Sequence, residues 1–294
     1  MEDNKISLTK PRLLSSPTPS TFDLTGIGEL MGVSLAGCRT SLYLPELKVS
    51  FDAGFPFPFH LSTDTFFITH GHLDHSAAIP FIISQKNLNH QKPATFFMPE
   101  SMVEPLTEIL NLWQKIESHR YKFNFIAATP ASPIVLNQQF LVKPFKAHHR
   151  IPALGYTLFQ TKKHLCKEFE GQSKDSIIRL KSKGIKVDTV QETPLMTFSG
   201  DSKIEFLWEE PWIVNSRYLF IETTYIDDRK TVEQARDWGH IHLDEVIQVL
   251  PKINSEKIIL MHISSRYSDH EAQAIIEKRI PVEYKERVIF FRGR

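Results

Sequence analysis

The chain of 294 residues contains 41% hydrophobic and 23% charged residues, an ordinary composition for a soluble globular protein with a substantial core. Its formal net charge of +1 excludes a uniformly basic nucleic-acid-binding protein, so contact with a polyanion would need a local basic surface. Two cysteines, Cys38 and Cys166, exclude a disulfide framework, and we expect a reducing compartment with the cytoplasm as the default.

The first residues do not have the pattern of a secretory signal peptide. Residues 1–10 mix charged and polar side chains without the apolar run of a signal peptide, and no stretch approaches the roughly 18 consecutive apolar residues of a membrane span. Residues 1–25 contain a Ser- and Pro-rich stretch, and we predict a weakly structured lead-in or a short strand with a turn. No repeat follows, so residues 26–294 are predicted to form one domain.

Short segments rich in β-branched and aromatic residues predict strands, and several of them end near Gly, Pro or Asp. The predicted strands are Lys48–Phe51, Thr65–Thr69, Thr95–Met98, Gln139–Phe145, Gly155–Phe159, Leu195–Phe198, Arg217–Ile221, Lys257–Met261 and Val288–Phe291.

Two helical patterns lie among these strands. From about Glu100 to Glu117, apolar residues recur at spacings of three and four, which predicts an amphipathic helix. Its predicted apolar face consists of Val103, Leu106, Ile109, Leu110, Trp113 and Ile116. A second helix is predicted from about Leu243 to Leu250. The alternation of strands and helices favours a layered α/β sandwich.

The sharpest motif follows the apolar strand that ends at Ile68. It places His70, His72, Asp74 and His75 within six residues. A strand holds such a turn rigidly, and neutral imidazoles and carboxylates are the ligands that zinc and similar divalent ions prefer. A solvated polar loop is the less favoured alternative. The motif therefore predicts a metal site.

One cluster of this size cannot hold two ions, which need about seven or eight protein donors together with water. Further candidate donors follow later strands: His148 and His149 come after one strand, Asp201 after another, and His262 after a third. Gly200 allows a tight turn before Asp201. Each of these residues alone would more often be structural, but their order behind the first cluster favours a shared site.

The order of these motifs resembles that of the ribonuclease Z family within the metallo-β-lactamase superfamily. The shared succession is His-x-His-x-Asp-His, a His before Gly-Tyr, Phe-Ser-Gly-Asp, Glu, Gly-His, and His-Ile-Ser-x-Arg-Tyr, from about Ser34 onward. Residues 161–187, 235–245 and 261–267 look most like the plant-type short form. The resemblance implies a metallo-β-lactamase αββα sandwich with a basic protruding arm.

The resemblance also implies a ligand set for two divalent metal ions, most simply Zn²⁺, with Mn²⁺ or Mg²⁺ as alternatives. One ion would be held by His70, His72 and His149, the other by Asp74, His75 and His262, with Asp201 between them. His149 is preferred to His148 because it lies six residues before Gly155, as the family's ligand does.

The family's reaction is the removal of the 3′ trailer of precursor tRNA. By resemblance, a hydroxide bridging the ions would attack the phosphodiester and leave a 3′-hydroxyl on the tRNA. Asp74 would orient that hydroxide, His240 would protonate the departing oxygen, and Glu222 would orient His240. Arg266 is a candidate phosphate contact, because a guanidinium binds phosphate oxygens bidentately. A surface ion pair is the alternative for Arg266.

Residues 157–194 correspond to the position of the family's tRNA-binding arm. Within residues 161–187, eight cations stand against three acids, a local net charge of +5. We take Lys162, Lys163, Lys181 and Lys183 as representative phosphate contacts. Ser173 is expected to cap a short helix through Ile177, Ile178 and Leu180, ended by Gly184, whose apolar residues would anchor the arm. A solvated surface excursion is the alternative.

Several positions depart from the common bacterial pattern. The turn at residues 33–38 is not Gly-Thr-Gly-Ser-like, and Gly-His-Ser-Thr becomes residues 239–242, Gly-His-Ile-His. These sequence variants resemble the plant-type form, and none of them removes a predicted ligand. Two other functions stay open: a hydrolase of the same fold acting on a small molecule, and a non-catalytic RNA-binding protein that holds metal. The family resemblance further implies a homodimer whose arms serve the partner's active site.

Overall fold

The computed structural model describes residues 19–291 and residue 293. Two β-sheets stack face to face in this part of the chain. One core cluster joins residues of both sheets, including Phe67 from the first and Phe220 from the second. Separate clusters cover the outer face of each sheet with helices. The described chain is therefore a four-layer αββα sandwich, and the predicted fold class is confirmed.

The first sheet is built mainly from the N-terminal half. Its strands run in the order β1 to β7, with β14 pairing beside β2. The bounds are β1 Ser20–Leu24, β2 Gly28–Ala36, β3 Arg39–Leu44, β4 Val49–Phe51, β5 Thr65–Phe67, β6 Thr95–Met98, β7 Asn124–Ala127 and β14 Ile263–Ser264. Strands β4, β5, β6 and β7 run parallel to one another.

The second sheet follows in the C-terminal half, in the order β15-β13-β12-β11-β10-β9-β8. The bounds are β8 Ile134–Val135, β9 Phe140–Ala147, β10 Ala153–Leu165, β11 Asp188–Phe198, β12 Tyr218–Glu222, β13 Lys257–Met261 and β15 Val288–Phe290. Strands β11, β12, β13 and β15 are parallel, whereas β10 is antiparallel to both of its neighbours.

The helices lie on the outer faces and in the connections. Their bounds are α1 Leu73–Ser76, α2 Ile79–Leu88, α3 Glu100–Glu117, α4 Lys174–Ser182, α5 Val232–Asp237, α6 Leu243–Val249 and α7 Asp269–Arg279. Helices α2 and α3 pack on the first sheet, and α6 and α7 pack on the second. Three of them begin with a side-chain cap and a reciprocal Gln or Glu contact, at Thr231, His242 and Ser268.

The alternation of side chains along each strand explains why the layers form. In β5, Phe67 faces the core between the sheets, while Phe66 faces the helices outside. In β12, Phe220 faces the core between the sheets, while Leu219 faces the helices outside. Burying a phenylalanine side chain contributes about 1.5–3 kcal/mol, so strands that are apolar on both faces favour a sandwich covered on both sides.

The sheets bring their carboxyl ends to one edge. Asp52 follows β4, His70 follows β5, Asp201 follows β11 and His262 follows β13. Because parallel strands end at the same edge of a sheet, side chains far apart in the chain meet there. A hydrogen bond from Leu154 N to Thr69 O, 2.9 Å, ties the two sheets together beside this edge.

The long hairpin of β10 and β11 extends beyond its sheet. Pairing of β10 with β9 ends at Gln160, whereas pairing with β11 continues outward to Leu165 opposite Asp188. Helix α4 lies in the connection, and Ser173 caps it as predicted, accepting a bond from Ser176 N. The predicted apolar anchor is only partial: Ile177 and Leu180 are half-buried, Ile178 is 55% exposed, and no residue of α4 is fully buried.

The predicted strands are all present, although β10 and β11 extend well beyond their predicted bounds. Strands β2, β3, β7, β8 and β14 were not predicted. Helix α3 has the predicted bounds, and its predicted apolar face is only partly buried. Leu110 is fully buried, whereas Ile109, Trp113 and Ile116 are 45%, 46% and 74% exposed. Helical periodicity marks an apolar stripe, but it does not show how much of that stripe a neighbouring layer covers. Of the predicted lead-in, residues 1–18 lie outside the described residues, and Ser20–Leu24 forms an edge strand.

Candidate metal centre

Three imidazoles converge at the sheet edge in a first group. His70 Nε2 lies 3.1 Å from His72 Nδ1, and His149 Nε2 lies 3.2 Å from the same atom. Asp201 joins them, with Oδ2 3.7 Å from His70 Nε2. The four side chains offer one donor atom each, and these atoms lie within 4.8 Å of one another.

A second group lies beside the first. His75 Nε2 is 3.2 Å from His262 Nε2 and 3.6 Å from Asp74 Oδ2. Asp201 Oδ1 lies 3.3 Å from His75 Nε2, so the two oxygens of one carboxylate face the two groups. The structure thus brings together all seven side chains that the sequence singled out as metal ligands.

This arrangement fits divalent cations. A tetrahedral ion with bonds of about 2.0–2.1 Å to nitrogen holds its ligand atoms about 3.3 Å apart, and the nitrogen pairs above lie at nearly that spacing. Asp201 Oδ1 is buried and has no hydrogen-bond partner among the described residues. A buried carboxylate oxygen without a partner is costly unless a cation or a proton satisfies it. The site therefore suits metal-ion binding.

Outer partners orient the imidazoles. His75 Nδ1 donates to Asp52 Oδ2 over 2.7 Å, and Asp52 also accepts bonds from the backbone and hydroxyl of Thr69. His149 Nδ1 donates to the carbonyl of Gly239 over 2.8 Å. A bond on one ring nitrogen leaves the other free to face the cluster, which is how histidine ligands are usually held.

Burial sets the protonation of the first group. It is the largest effect on His70, His72 and His149, and in each it lowers the pKa, so the rings are neutral donors. His75 behaves differently. Its burial also acts to lower the pKa, but the charges of Asp201 and Asp52 outweigh burial and raise the pKa well above its usual value. A proton on His75 occupies a position that a cation can take over.

Local backbone geometry orients the side chains of His262 and Asp52. His262 has a φ of 57° and Asp52 a φ of 59°, a left-handed conformation that costs a non-glycine residue about 1–3 kcal/mol. Gly200 has a φ of 60°, and a Cβ there would lie 2.7 Å from the side chain of Thr69. Only glycine lets the turn before Asp201 approach the first sheet so closely.

A carboxylate–imidazole pair stands beside the cluster. His240 Nδ1 donates to Glu222 Oε1 over 2.9 Å, and Glu222 is fully buried. The other Glu222 oxygen accepts bonds from the backbone and the hydroxyl of Thr224. Burial alone would lower the pKa of His240, but the charge and hydrogen bond of Glu222, with the charge of Asp201, raise it to about 9. At neutral pH these interactions favour the protonated form of His240.

The remaining predicted residues lie outside the cluster. His148 points away and pairs with Glu209 at 2.5 Å, so the geometry favours its neighbour His149 as the donor. Arg266 is exposed, and its charge acts on Tyr225, whose ring lies 6.2 Å from that of His240. Each predicted lysine of the hairpin is exposed, and Lys181 forms a 2.7 Å ion pair with Asp188.

Two polar residues of the site were not predicted. Asp52 orients His75, and the Thr224 hydroxyl lies 3.1 Å from His262 Nδ1 and 3.3 Å from His240 Nδ1. Asp52 follows a strand, but a single polar residue at a strand end is ordinary and does not mark a ligand partner. Threonine at position 224 likewise gives no signal, because a strand-end Thr is ordinary.

Comparison with known proteins agrees with this geometry. The family profile described as Beta-lactamase superfamily domain matches residues 55–263. The chain is 31% identical to tRNase Z TRZ1 of Arabidopsis thaliana, over 85% of this chain and 90% of that protein. It is 28% identical to the chloroplastic tRNase Z TRZ2 of the same plant, over 84% of this chain and 70% of that protein. The crystal structure of human tRNase Z, short form, superposes with a TM-score of 0.55 at 16% identity, covering 81% of this chain and 93% of that one.

The chain therefore belongs to the β-lactamase superfamily. Within that superfamily it is a member of the tRNase Z family, as its similarity to the Arabidopsis protein over nearly the full length shows. The predicted resemblance is confirmed. Among residues 19–291, no helix is long and apolar enough to cross a membrane.

Proposed function

We propose that this protein is an endoribonuclease that removes the 3′ trailer of precursor tRNA and leaves a 3′-hydroxyl. The observation that carries the proposal is the Glu222–His240 pair, which stands beside a seven-donor metal centre in a chain of the tRNase Z family. A buried acid holding an imidazole with a pKa of about 9 suits protonation of a ribose 3′ oxygen.

We propose two cations, most simply Zn²⁺, held in the two groups with Asp201 between them. When bound, such ions lower the pKa of a water molecule and offset the negative charge of a phosphodiester. Each of the two carboxylate oxygens of Asp201 faces one of the two groups, and this arrangement supports two ions rather than one. The neutral imidazoles of the first group need no deprotonation before they bind.

Asp74 is the proposed acceptor of the proton from the attacking water. Its burial acts to raise the pKa, but the hydrogen bond and charge of His262, with the charge of His75, lower the pKa below the usual range. Asp74 therefore stays ionised. The backbone N–H of Gly37 donates to Asp74 Oδ2 over 2.8 Å and fixes that oxygen in place. A fixed carboxylate loses little entropy when it orients water.

His240 is the proposed proton donor to the departing 3′ oxygen. Its Nδ1 is engaged by Glu222, so Nε2 is the nitrogen that can deliver a proton. The ring is 16% exposed, which leaves it accessible from the open side of the site. Asp74 and His240 are thus separate groups with opposite protonation at neutral pH, as acid–base catalysis of hydrolysis requires.

The hairpin of β10 and β11 with helix α4 is the proposed arm that binds the body of tRNA. All eight lysine and arginine side chains of residues 161–187 are exposed, so they can reach phosphates without desolvating a core. Phosphate contacts supply most of the affinity for folded RNA. In Arg266 we propose a further phosphate contact at the site itself.

A direct test uses purified protein loaded with zinc and a tRNA carrying a 3′ extension. We expect one cut that leaves a 3′-hydroxyl on the tRNA, mapped by sequencing the product ends. Bis(p-nitrophenyl) phosphate serves as the small substrate in a parallel assay, and an Asp201→Asn variant controls for contaminating nuclease. Turnover of the small diester with no cleavage of the RNA would refute the proposal in favour of a small-molecule hydrolase.

We also propose a homodimer. Helix α3 exposes four large apolar side chains, and exposed apolar patches of this kind mark protein interfaces. They are Ile109, Leu112, Trp113 and Ile116. Sedimentation at micromolar concentration should give twice the chain mass, and an Ile109→Lys/Ile116→Lys variant should give a monomer. A wild-type monomer under the same conditions would contradict the dimer.

The proposed compartment is the cytoplasm. Both cysteines are free thiols, which suits a reducing environment. Relatives differ in this respect, since one of them is named as chloroplastic. Imaging of the full chain with a C-terminal fluorescent tag decides the matter, and a signal confined to an organelle would exclude the cytoplasm.

A further inference from the structure

A cleft of about 700 Å³ opens directly beside the metal centre. Its walls come from the β9–β10 connection, from the start of α3, from residues 127–130 at and after the end of β7, and from Lys203, whose backbone N–H donates to the carbonyl of His148 over 2.9 Å. His149, a donor of the first metal group, is part of the lining. The cleft is therefore continuous with the site of chemistry, and nothing in the reaction described above uses it.

Three cations line this cleft: Lys146, Arg150 and Lys203. None of them forms an ion pair with an acid in the described ranges 19–291 and 293. On the same strand as Lys146, by contrast, Lys143 is paired with Glu192 at 2.5 Å. One acid, Glu100, also lines the cleft, at the start of an 18-residue helix whose N-terminus carries partial positive charge. The balance of charge in the cleft is positive.

An exposed aromatic ring packs against one of the cations that line the cleft. The Arg150 guanidinium lies 4.8 Å from the centroid of the Trp238 ring, and the indole is 53% exposed. Trp238 belongs to the turn that leads through Gly239 to His240, and a Cβ on Gly239 would lie 3.1 Å from Arg150 N. The Trp238 ring and the proposed proton donor therefore belong to one packed turn.

From these features we infer that the cleft is a binding subsite for the single-stranded RNA next to the scissile phosphate. This inference rests on the proposed nuclease function. The three cations bind backbone phosphates, and the Trp238 ring, backed by Arg150, stacks a base. Unpaired cations beside an exposed aromatic ring are the combination that recognises single strands without reading their sequence. The volume is within the range of sites that enclose a small ligand, so it accommodates part of a strand and not a duplex.

The cleft also differs in kind from the arm. The arm places its charges on an exposed hairpin, suited to a folded tRNA body, whereas the cleft places its charges within reach of His149. A substrate held only by its body would leave the strand at the cut free to move. Fixing the phosphates on one side of the cut restrains the reacting group, which is worth several orders of magnitude in favourable cases.

The test measures KM and kcat on a precursor tRNA with a long trailer and on one with a single extra nucleotide. The variants are Lys146→Ala/Lys203→Ala and Trp238→Leu. Matched controls come from a similar pair elsewhere: Trp208 is 50% exposed, Lys252 Nζ lies 5.7 Å from its ring, and neither residue lines the cleft. The control variants are Trp208→Leu and Lys252→Ala. Circular dichroism and metal content are checked for every variant.

We expect Trp238→Leu to raise KM for the long-trailer substrate about tenfold, because stacking of one base contributes roughly 1–3 kcal/mol. The double lysine variant should also reduce the slope of log KM against log salt, by about 0.7 for each single-strand phosphate that is no longer neutralised. The controls should change neither quantity. A loss confined to the long trailer assigns the cleft to trailer nucleotides, and an equal loss on both substrates assigns it to the 3′ nucleotide of the tRNA.

Two failures can be told apart. If the wild-type protein cuts precursor tRNA, but the cleft variants match their controls in KM and in salt slope, the cleft inference is wrong and the nuclease proposal stands. If the wild-type protein does not cut precursor tRNA at all, the nuclease proposal is wrong, and the cleft inference falls with it.

Discussion

The metal centre and the β10–β11 hairpin are built on opposite physical principles. In the centre, His70, His75 and His262 are almost completely buried, and each ring has a polar partner. In the outer hairpin the cations are exposed, and helix α4 has no buried residue. Groups that must meet within tenths of an ångström are held from several directions. Groups that are proposed to meet the phosphates of an RNA are left free to adjust.

The largest predicted effect separates chemistry from binding. Asp74→Ala should reduce kcat on precursor tRNA by about 10⁴-fold, because the variant lacks the carboxylate that accepts the proton of the attacking water. Affinity for tRNA, measured by filter binding, should stay nearly unchanged, because the hairpin cations are intact. Substantial turnover by this variant would contradict the mechanism.

The next effect tests the acid within the centre. Glu222→Gln removes the negative charge that raises the pKa of His240 to about 9, so that pKa should fall. The protonated form of His240 then disappears at a lower pH, and the alkaline limb of the kcat/KM profile should move down by a unit or more. Activity at pH 8 should drop by about 10²-fold, more than at pH 6. An unmoved limb would show that His240 is not the acid.

Removal of the hairpin should have the opposite effect to the Asp74 variant: it should weaken RNA binding and leave the chemistry largely intact. Replacement of residues 161–187 by a short Gly-Ser turn should weaken cleavage of precursor tRNA about a hundredfold, because the variant lacks eight exposed cations. Hydrolysis of bis(p-nitrophenyl) phosphate should be affected far less. The control is a variant in which residues of helix α7 are replaced by neutral ones without any change in chain length. Equal loss on both substrates would mean that the hairpin supports the site and does not bind RNA.

The smallest effect concerns the outer partners of the ligands. Asp52→Asn keeps the shape of the side chain but weakens its bond to His75 Nδ1, and such changes lower metal affinity about 10–100-fold. Competition with a chromophoric chelator measures this. Restoration of activity by excess zinc is expected, whereas a defect that zinc does not restore would point to a wider structural role for Asp52.

The sequence was most informative where chemistry leaves little choice of residue. Four donors within six positions from His70 to His75 could be recognised without a structure, and the positions of Asp201 and His262 after strands indicated that they join the same edge. Single-sequence patterns did not reveal Asp52 or Thr224, because one polar residue at a strand end looks the same whether or not it supports a ligand. The choice between His148 and His149 needed the family resemblance or the structure, since adjacent residues share every local signal.

The fold shows the same limit. Strands with two apolar faces, such as β5 and β13, were predicted, whereas β2 and β3 were not, since Gly32, Arg39 and Ser41 interrupt their apolar pattern. In α3 the periodic stripe was real, but the described residues leave about half or more of Ile109, Trp113 and Ile116 uncovered. Local periodicity predicts that an element forms, and tertiary packing decides what covers it.

The donors of the metal centre are supplied by both sheets: His70, Asp74 and His75 follow a strand of the first, and His149, Asp201 and His262 follow strands of the second. Cations bound between these donors would link the two sheets of the sandwich. Their binding energy would then count toward the cohesion of the two halves, because ions that bind the native state alone shift the unfolding equilibrium toward it. In this architecture a shortage of zinc would weaken the contact between the two sheets before it exposed the core of either layer.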